Sequence, residues 1–174
     1  MNPAPFRCDP LAEALDRTGF RCGEEALDRY FQTQVTQDIR RRVANCFVVV
    51  EVVSGIVAAY YTLSAASIPL VDLPAAVAKR LPRYPTLPAV RIGRLAVDLR
   101  FQRRGLGELM LMNAVHRTLP DAAAAFALLV DAKNDAAVAF YRKYGFRAIE
   151  GRPRTLFLPI ETARRSLLES VRPH

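Results

Sequence analysis

Apolar residues in the first third of the chain recur at helical spacing. In "CGEEALDRYFQTQVTQDIRRR", Ala26, Leu27, Tyr30, Phe31 and Val35 fall near one face, which predicts a helix over about residues 24–39. The pattern then switches to β-branched and aromatic runs, "CFVVVEVV" and "GIVAAYYTLSA". They are split by Ser54-Gly55, the signature of a hairpin. "SIPLVDLPAAVAKRLPRYPTLPA" is punctuated by Pro69, Pro74, Pro82, Pro85 and Pro88. It predicts an inserted loop with one short helix from Pro74 to about Lys79, since proline is tolerated in a helix's first turn. "AVRIGRLAVD" predicts the next strand, and a helix runs from Gly105 to about Leu119. "AFALLVDA" is a short, fully apolar strand suited to a sheet centre. "NDAAVAFYRKYGF" opens on Asn134, a candidate N-cap, and closes on Gly145, a candidate C-cap. "FRAIEG" and "RTLFLPI" predict a final antiparallel pair, with residues 161–174 either a short helix or a frayed tail. The order predicts a mixed α/β sheet, and 174 residues suit a single domain over 1–174.

Composition narrows the class. No run of about 18 apolar residues suggests a membrane span, and the N-terminus lacks a basic patch followed by an apolar stretch, so neither membrane nor secretion is expected. Cys8, Cys22 and Cys46 are odd in number and lack metal-ligand spacing, which predicts reduced thiols, a cytoplasmic setting and no metal. There is a short alanine tract, Ala122 to Ala125.

The net charge of +8 is concentrated. Between Lys79 and Arg104 eight basic residues face one acid, Asp98, which places +7 in that window. A second cluster, Arg40-Arg41-Arg42, precedes the first strong strand. Only three of the 25 basic residues are lysines. A GC-rich genome would also favour arginine, but it would not cluster it. Arginine suits bidentate phosphate contacts, and the clustering points to a phosphate-rich partner.

One stretch carries specific chemistry. In "QRRGLG", Gly105 and Gly107 stand where a strand turns into a helix. Backbone N–H groups at a helix start, unobstructed by side chains, form an anion site that neighbouring arginines can neutralise. The spacing is neither G-x-G-x-x-G nor G-x-x-x-x-G-K-[ST], which disfavours a dinucleotide fold and a P-loop NTPase. Taken alone, the turn also reads as a tight connection with its arginines in solvent.

The turn and the later "NDAAVAFYRKYGFR" together resemble the GCN5-related N-acetyltransferase (GNAT) family, over about Cys46 to Pro159. Five further stretches are similar to the TacT-type toxins of bacterial toxin–antitoxin pairs over nearly the whole chain: "FRCGEEALDRYFQTQVTQDIRRRV", "AAYYTLSAASI", "KRLPRYPTLPAVRIGRLAVD", "VDAKNDAAVAFYRKYGF" and "RTLFLPI". Family members often carry glycine where this chain has Arg104. The resemblance implies a GNAT fold: a mixed, mostly antiparallel twisted sheet with a central splayed parallel pair, flanked by helices. It implies acetyl-CoA as cosubstrate, with Leu95, Ala96 and Val97 pairing to the pantetheine arm. Gln102, Arg103, Arg104, Gly105, Leu106 and Gly107 would wrap the pyrophosphate, and Asn134 and Phe140 would complete the cofactor site. Tyr141 is implied as the catalytic acid for the departing thiolate.

The chain offers no evident general base, since His116 and His174 are its only histidines. That suits the α-amino group of an aminoacyl-tRNA, which titrates near 8 or below and needs less help than a lysine near 10.4. Arg40, Arg41, Arg42, Lys79, Arg80, Arg83, Arg91 and Arg94 are the candidate RNA contacts. The resemblance further implies a homodimer and a cognate ribbon-helix-helix antitoxin through which the complex reaches operator DNA. Two other readings stay open: a GNAT enzyme acting on a protein or small-molecule amine, and a non-catalytic GNAT-like module that binds nucleic acid or an antitoxin.

Overall fold

The computed structural model describes residues 5–120 and 123–170. His174, the end of the expected tail and Ala122 of the alanine tract lie outside the described residues. Seven strands form one sheet in the order β1-β2-β3-β4-β5-β7-β6. They are β1 (Phe6–Pro10), β2 (Asn45–Glu51), β3 (Val57–Pro69), β4 (Thr86–Val97), β5 (Ala127–Asp131), β6 (Arg147–Ile149) and β7 (Arg152–Pro159). The helices are α1 (Glu25–Thr33), α2 (Val35–Arg40), α3 (Ala75–Ala78), α4 (Leu106–Thr118), α5 (Asp135–Lys143) and α6 (Ile160–Ser170). The sheet is mostly antiparallel, with one parallel pair, β4–β5, as the resemblance implied.

The parallel register runs from Ala89↔Ala127 to Ile92↔Val130, and β4 continues past it to Val97. β5 also pairs antiparallel with β7. Buried on both faces and flanked by strands on both edges, it is the central strand its apolar run predicted.

Three sequence expectations are corrected. The single helix over 24–39 is two helices, α1 and α2, parted at Gln34. The Thr33 hydroxyl bonds back to the Arg29 carbonyl at 2.7 Å, and β-branched Thr33, Val35 and Thr36 crowd the same turn. β1 was not expected, because "FRCDP" lacks apolar alternation. It exists as an edge strand through antiparallel pairing with β2, with Pro10 at its last position, where a missing N–H is tolerated. β4 begins three residues before the expected Ala89 and takes in Pro88, whose carbonyl accepts the Phe126 N–H at 2.8 Å. The tail resolves in favour of a helix, α6, as far as Ser170.

The chain divides into two compact units, Met1–Ser64 with Gly93–Ala114, and Ala65–Ile92 with Val115–His174. The first is built around aromatic rings. Phe31 stacks on Tyr60 at 4.3 Å, Phe20 tilts against both, and the Tyr60 hydroxyl donates to the Leu27 carbonyl at 2.8 Å. The second packs Ile68, Leu73, Leu87, Ala89, Ala127, Leu129, Ile149 and Phe157 together.

Within the first unit, one carboxylate fixes the exit from β4. Asp98 is 1% exposed, and its oxygens accept from the Arg21 N–H at 3.0 Å and the Arg100 N–H at 2.9 Å. They also accept from the Arg100 guanidinium at 2.9 and 3.0 Å. Burial pushes this carboxyl up, but the Arg100 side chain and the two backbone donors outweigh it and hold the group below the usual aspartate range.

Phe31→Ala removes a fully buried, stacked ring and should cost about 3–5 kcal/mol, read from the denaturant midpoint. Asp98→Asn weakens several charge-assisted bonds and should cost about 2–3 kcal/mol at pH 7. Because the folded carboxyl titrates below its unfolded value, its contribution is present above about pH 4 and lost as pH falls through the lowered value. Wild-type stability should therefore fall more steeply than that of the asparagine variant below pH 4, a difference that acid titration of thermal unfolding checks.

Candidate active site

The end of β4 is shaped by a close approach. The Arg94 N–H donates to Thr62 Oγ1 at 3.0 Å, and a Cβ on Gly93 would meet the same oxygen at 3.0 Å, so glycine lets the strands close there. Beyond it Ala96 is buried while Leu95 and Val97 are half-buried, the alternation of a strand with one covered face. The Asp98 N–H donates to the Ala58 carbonyl and the Leu99 N–H to the Arg21 carbonyl, both at 2.8 Å, which carries the chain into a short 3-10 turn, Leu99–Phe101. Phe101 is buried under this turn, edge-on to Phe6 at 6.0 Å.

The glycine turn follows. Arg103 and Gly105 both sit in the left-handed region, at φ +63 and +75. Glycine accepts that geometry freely, whereas arginine does so at a cost of about 1–2 kcal/mol. A Cβ on Gly105 would meet no heavy atom within 4 Å, so the space above the turn is open. The first helical hydrogen bond of α4 is Leu109 N–H to the Gly105 carbonyl, at 3.1 Å. The N–H groups of Leu106, Gly107 and Glu108 thus have no acceptor within the helix, and they carry the positive end of a 13-residue dipole. Leu106 is buried and anchors the helix start, and Gly107 is half-buried. The turn has the features an anion site needs: open space, unpaired donors and flanking cations.

Its side chains divide in role. Gln102 is exposed, and its amide donates to the carbonyls of Val97 at 3.3 Å and Cys22 at 3.4 Å, so it braces the loop. Arg104 lies 5.4 Å from the Phe101 ring centre and 3.8 Å from the Glu51 carboxylate. Arg103 is exposed and has no ion pair among the described residues.

Asn134, Phe140 and Tyr141 belong to the second unit. Asn134 caps α5, its Oδ1 accepting the Ala137 N–H at 2.9 Å, which leaves its amide NH₂ available as a donor. Gly145, at φ +93, ends the segment as expected. Phe140 lies edge-on to Tyr141 and to Tyr144, both at 5.2 Å, and Tyr141 is edge-on to Phe146 at 5.3 Å. The Tyr141 ring is buried, and burial pushes its phenol up to about 12. Its hydroxyl makes no hydrogen bond among the described residues. This is a phenol that keeps its proton and has committed it to no protein acceptor.

The arginines expected to meet RNA are not equivalent. Arg94 lies over the Tyr30 ring at 3.4 Å. Arg91 pairs with Asp131, and Arg40 pairs with Glu13 at 2.8 Å. Arg41 and Arg42 are exposed, Arg42 at φ +57. Lys79, Arg80 and Arg83 are exposed and have no carboxylate partner among the described residues. Sequence reasoning passed over Asp98 and Phe101, which support the turn. A lone acid at the end of a strand, inside a basic window, was the available signal for the first.

The model of the acetyltransferase (GNAT) domain family matches residues 77–155. A tRNA-acetylating toxin of Mycobacterium tuberculosis is 33% identical over 156 residues, 88% of this chain and 92% of the relative. A tyrosine-to-phenylalanine mutant of KacT superposes with a TM-score of 0.86 at 28% identity, covering 94% of this chain and 99% of its own. AtaT complexed with acetyl-methionyl-tRNAfMet superposes at 0.85 with 27% identity, over 93% and 99%. With a relative 33% identical over 88% of its length and these folds matching over nearly all of it, the chain belongs to the GNAT N-acetyltransferases, in the family of the tRNA-acetylating toxins.

Proposed function

We propose that this protein, acting as one catalytic domain, transfers the acetyl group of acetyl-CoA to the α-amino group of aminoacyl-tRNA and so blocks peptide-bond formation. The observation that carries the reading is Tyr141, a buried phenol with a secured proton and an unengaged hydroxyl. Acetyl-CoA supplies the acetyl group as a thioester. The unpaired N–H groups of Leu106, Gly107 and Glu108 hold its pyrophosphate, with Arg103 and Arg104 neutralising charge, and Gln102 keeps the loop in shape. The main chain of Leu95, Ala96 and Val97 pairs with the pantetheine arm as an added strand, Asn134 donates its amide to the same arm, and Phe140 packs beside Tyr141. The substrate amine attacks in its neutral form and loses its proton to water as the N–C bond forms. Tyr141 gives its proton to the sulfur as the C–S bond breaks, then regains one from solvent.

The same reading includes a homodimer in the cytoplasm and a ribbon-helix-helix antitoxin that links it to operator DNA. AtaTR has been solved with AcCoA and KacTA with DNA, each at 26% identity to this chain. Arg40 to Arg42, Lys79, Arg80, Arg83, Arg91 and Arg94 contribute the field that attracts the RNA, with the unpaired cations meeting phosphates directly.

Labelled acetyl-CoA incubated with the protein and total charged tRNA should transfer label to the charged tRNA, released on ester hydrolysis and absent from deacylated tRNA. Label on bulk protein instead would discard the RNA target. Tyr141→Phe should lower kcat by about 10²- to 10⁴-fold while leaving acetyl-CoA affinity unchanged, measured by calorimetry beside single-turnover rates. Since the phenol keeps its proton up to about 12, the wild-type pH profile should rise as the substrate amine deprotonates below about pH 8 and show no descending limb below pH 10. Gly105→Ala imposes left-handed strain and places a methyl in the open space above the turn. It should cost about 1 kcal/mol in stability and raise the acetyl-CoA KM well beyond that of the aminoacyl-tRNA.

A further inference from the structure

The segment between β3 and β4 is a closed loop with a packed inside and an unusual outside. Its ends are tied by the Leu70 N–H donating to the Pro85 carbonyl at 3.0 Å. Leu70, Leu73, Val77, Ala78 and Leu81 turn inward onto the core of the second unit. Tyr84 is left 63% exposed, with Arg83 beside it and Lys79 and Arg80 also facing solvent. Its ring contacts no other ring or cation among the described residues. The one acid between residues 70 and 85, Asp72, lies 3.6 Å from the Arg152 guanidinium, so the loop's free charge is wholly positive.

The presentation is stiff. Pro82 and Pro85 bracket Arg83 and Tyr84, and a residue preceding proline is confined to extended backbone. An anchored loop of this kind loses little entropy when its outer face is covered. A bare aromatic face among unpaired cations matches the two parts of an unpaired nucleotide, a base that stacks and a phosphate that pairs with arginine. An acidic peptide would satisfy the cations and leave the ring without a partner.

We propose that Tyr84 is a stacking platform for an unpaired nucleotide of the RNA substrate, with Arg83, Arg80 and Lys79 on the adjoining phosphates. This rests on the reading of the substrate as RNA, and it adds a positioning residue that the arginine clusters alone did not identify.

The chain has no tryptophan, so Tyr84→Trp introduces a single reporter at the site. Its emission should be quenched saturably by deacylated tRNA and by a single-stranded oligonucleotide, and much less by a blunt RNA duplex. Tyr84→Ala should weaken tRNA binding about tenfold and raise the aminoacyl-tRNA KM in proportion, with the acetyl-CoA KM unmoved and Tyr84→Phe restoring most of the loss. Equal quenching by duplex and single strand would overturn the stacking role, leaving only charge attraction. Quenching by polyglutamate without quenching by RNA would assign the loop to a protein partner, and no quenching by any of them would leave it unliganded; either overturns the proposal. Quenching by RNA in a protein that transfers no acetyl group to charged tRNA would sink the proposed reaction and keep this site. Full transfer without quenching would sink this site and keep the reaction.

Discussion

Asp98 occupies the point where β4 stops and the chain enters the glycine turn, and four hydrogen bonds converge on its two oxygens. A carboxylate this buried is tolerable only because its donors include a guanidinium and two backbone N–H groups. The bond from Arg21 ties the segment before α1 to the strand end, and the bonds from Arg100 set the pitch of the 3-10 turn. That turn brings Phe101 under the loop, and from there Arg103, Gly105 and the open first turn of α4 take their positions. The glycine turn, the cofactor loop of the proposed reaction, therefore inherits its geometry from a residue outside it, which is how a rigid scaffold holds a site precise.

Charge in this molecule has a finer structure than its net value suggests. Several arginines of the basic window are spent within the protein: Arg94 on a ring, Arg91 on Asp131, Arg100 on Asp98. The exposed Arg91–Asp131 pair adds little stability, but each of the three contacts fixes its side chain and removes it as a free phosphate ligand. The cations of this window without a carboxylate partner among the described residues, Arg103 in the turn and Lys79, Arg80 and Arg83 in the insert, have their positive charge available to a ligand. Long-range attraction depends on the whole distribution, whereas direct contact depends on this smaller set.

In the reaction proposed for this protein, Tyr141 acts by withholding its proton. Tyr141 is held among Phe140 and Phe146, and a low-polarity surrounding disfavours phenolate, so the proton stays until a stronger acceptor forms. An acid of this type suits a reaction whose nucleophile arrives already neutral. The chain's two histidines, His116 and His174, offer no evident base, which suits the proposed α-amino acceptor near 8 better than a lysine near 10.

Much of this was legible in the sequence, because its signals were local. Turn chemistry placed Gly105 and Gly145, capping chemistry placed Asn134, and an unbroken apolar run marked β5 as central. The motif pair in "QRRGLG" and "NDAAVAFYRKYGF" pointed to the family. What the sequence left undecided depended on partners distant along the chain. "FRCDP" becomes a strand only because β2 offers it an edge, and the long helix divides only where a hydroxyl and the crowding around Val35 meet. Asp98 looked like a stray acid until Arg21, 77 residues away, donated to it. The sorting of arginines into paired and free, and the outward turn of Tyr84 from a packed loop, likewise follow from which groups the fold brings within hydrogen-bond or van der Waals reach. Periodicity and turn residues act over a few positions, whereas burial and pairing belong to the assembled chain.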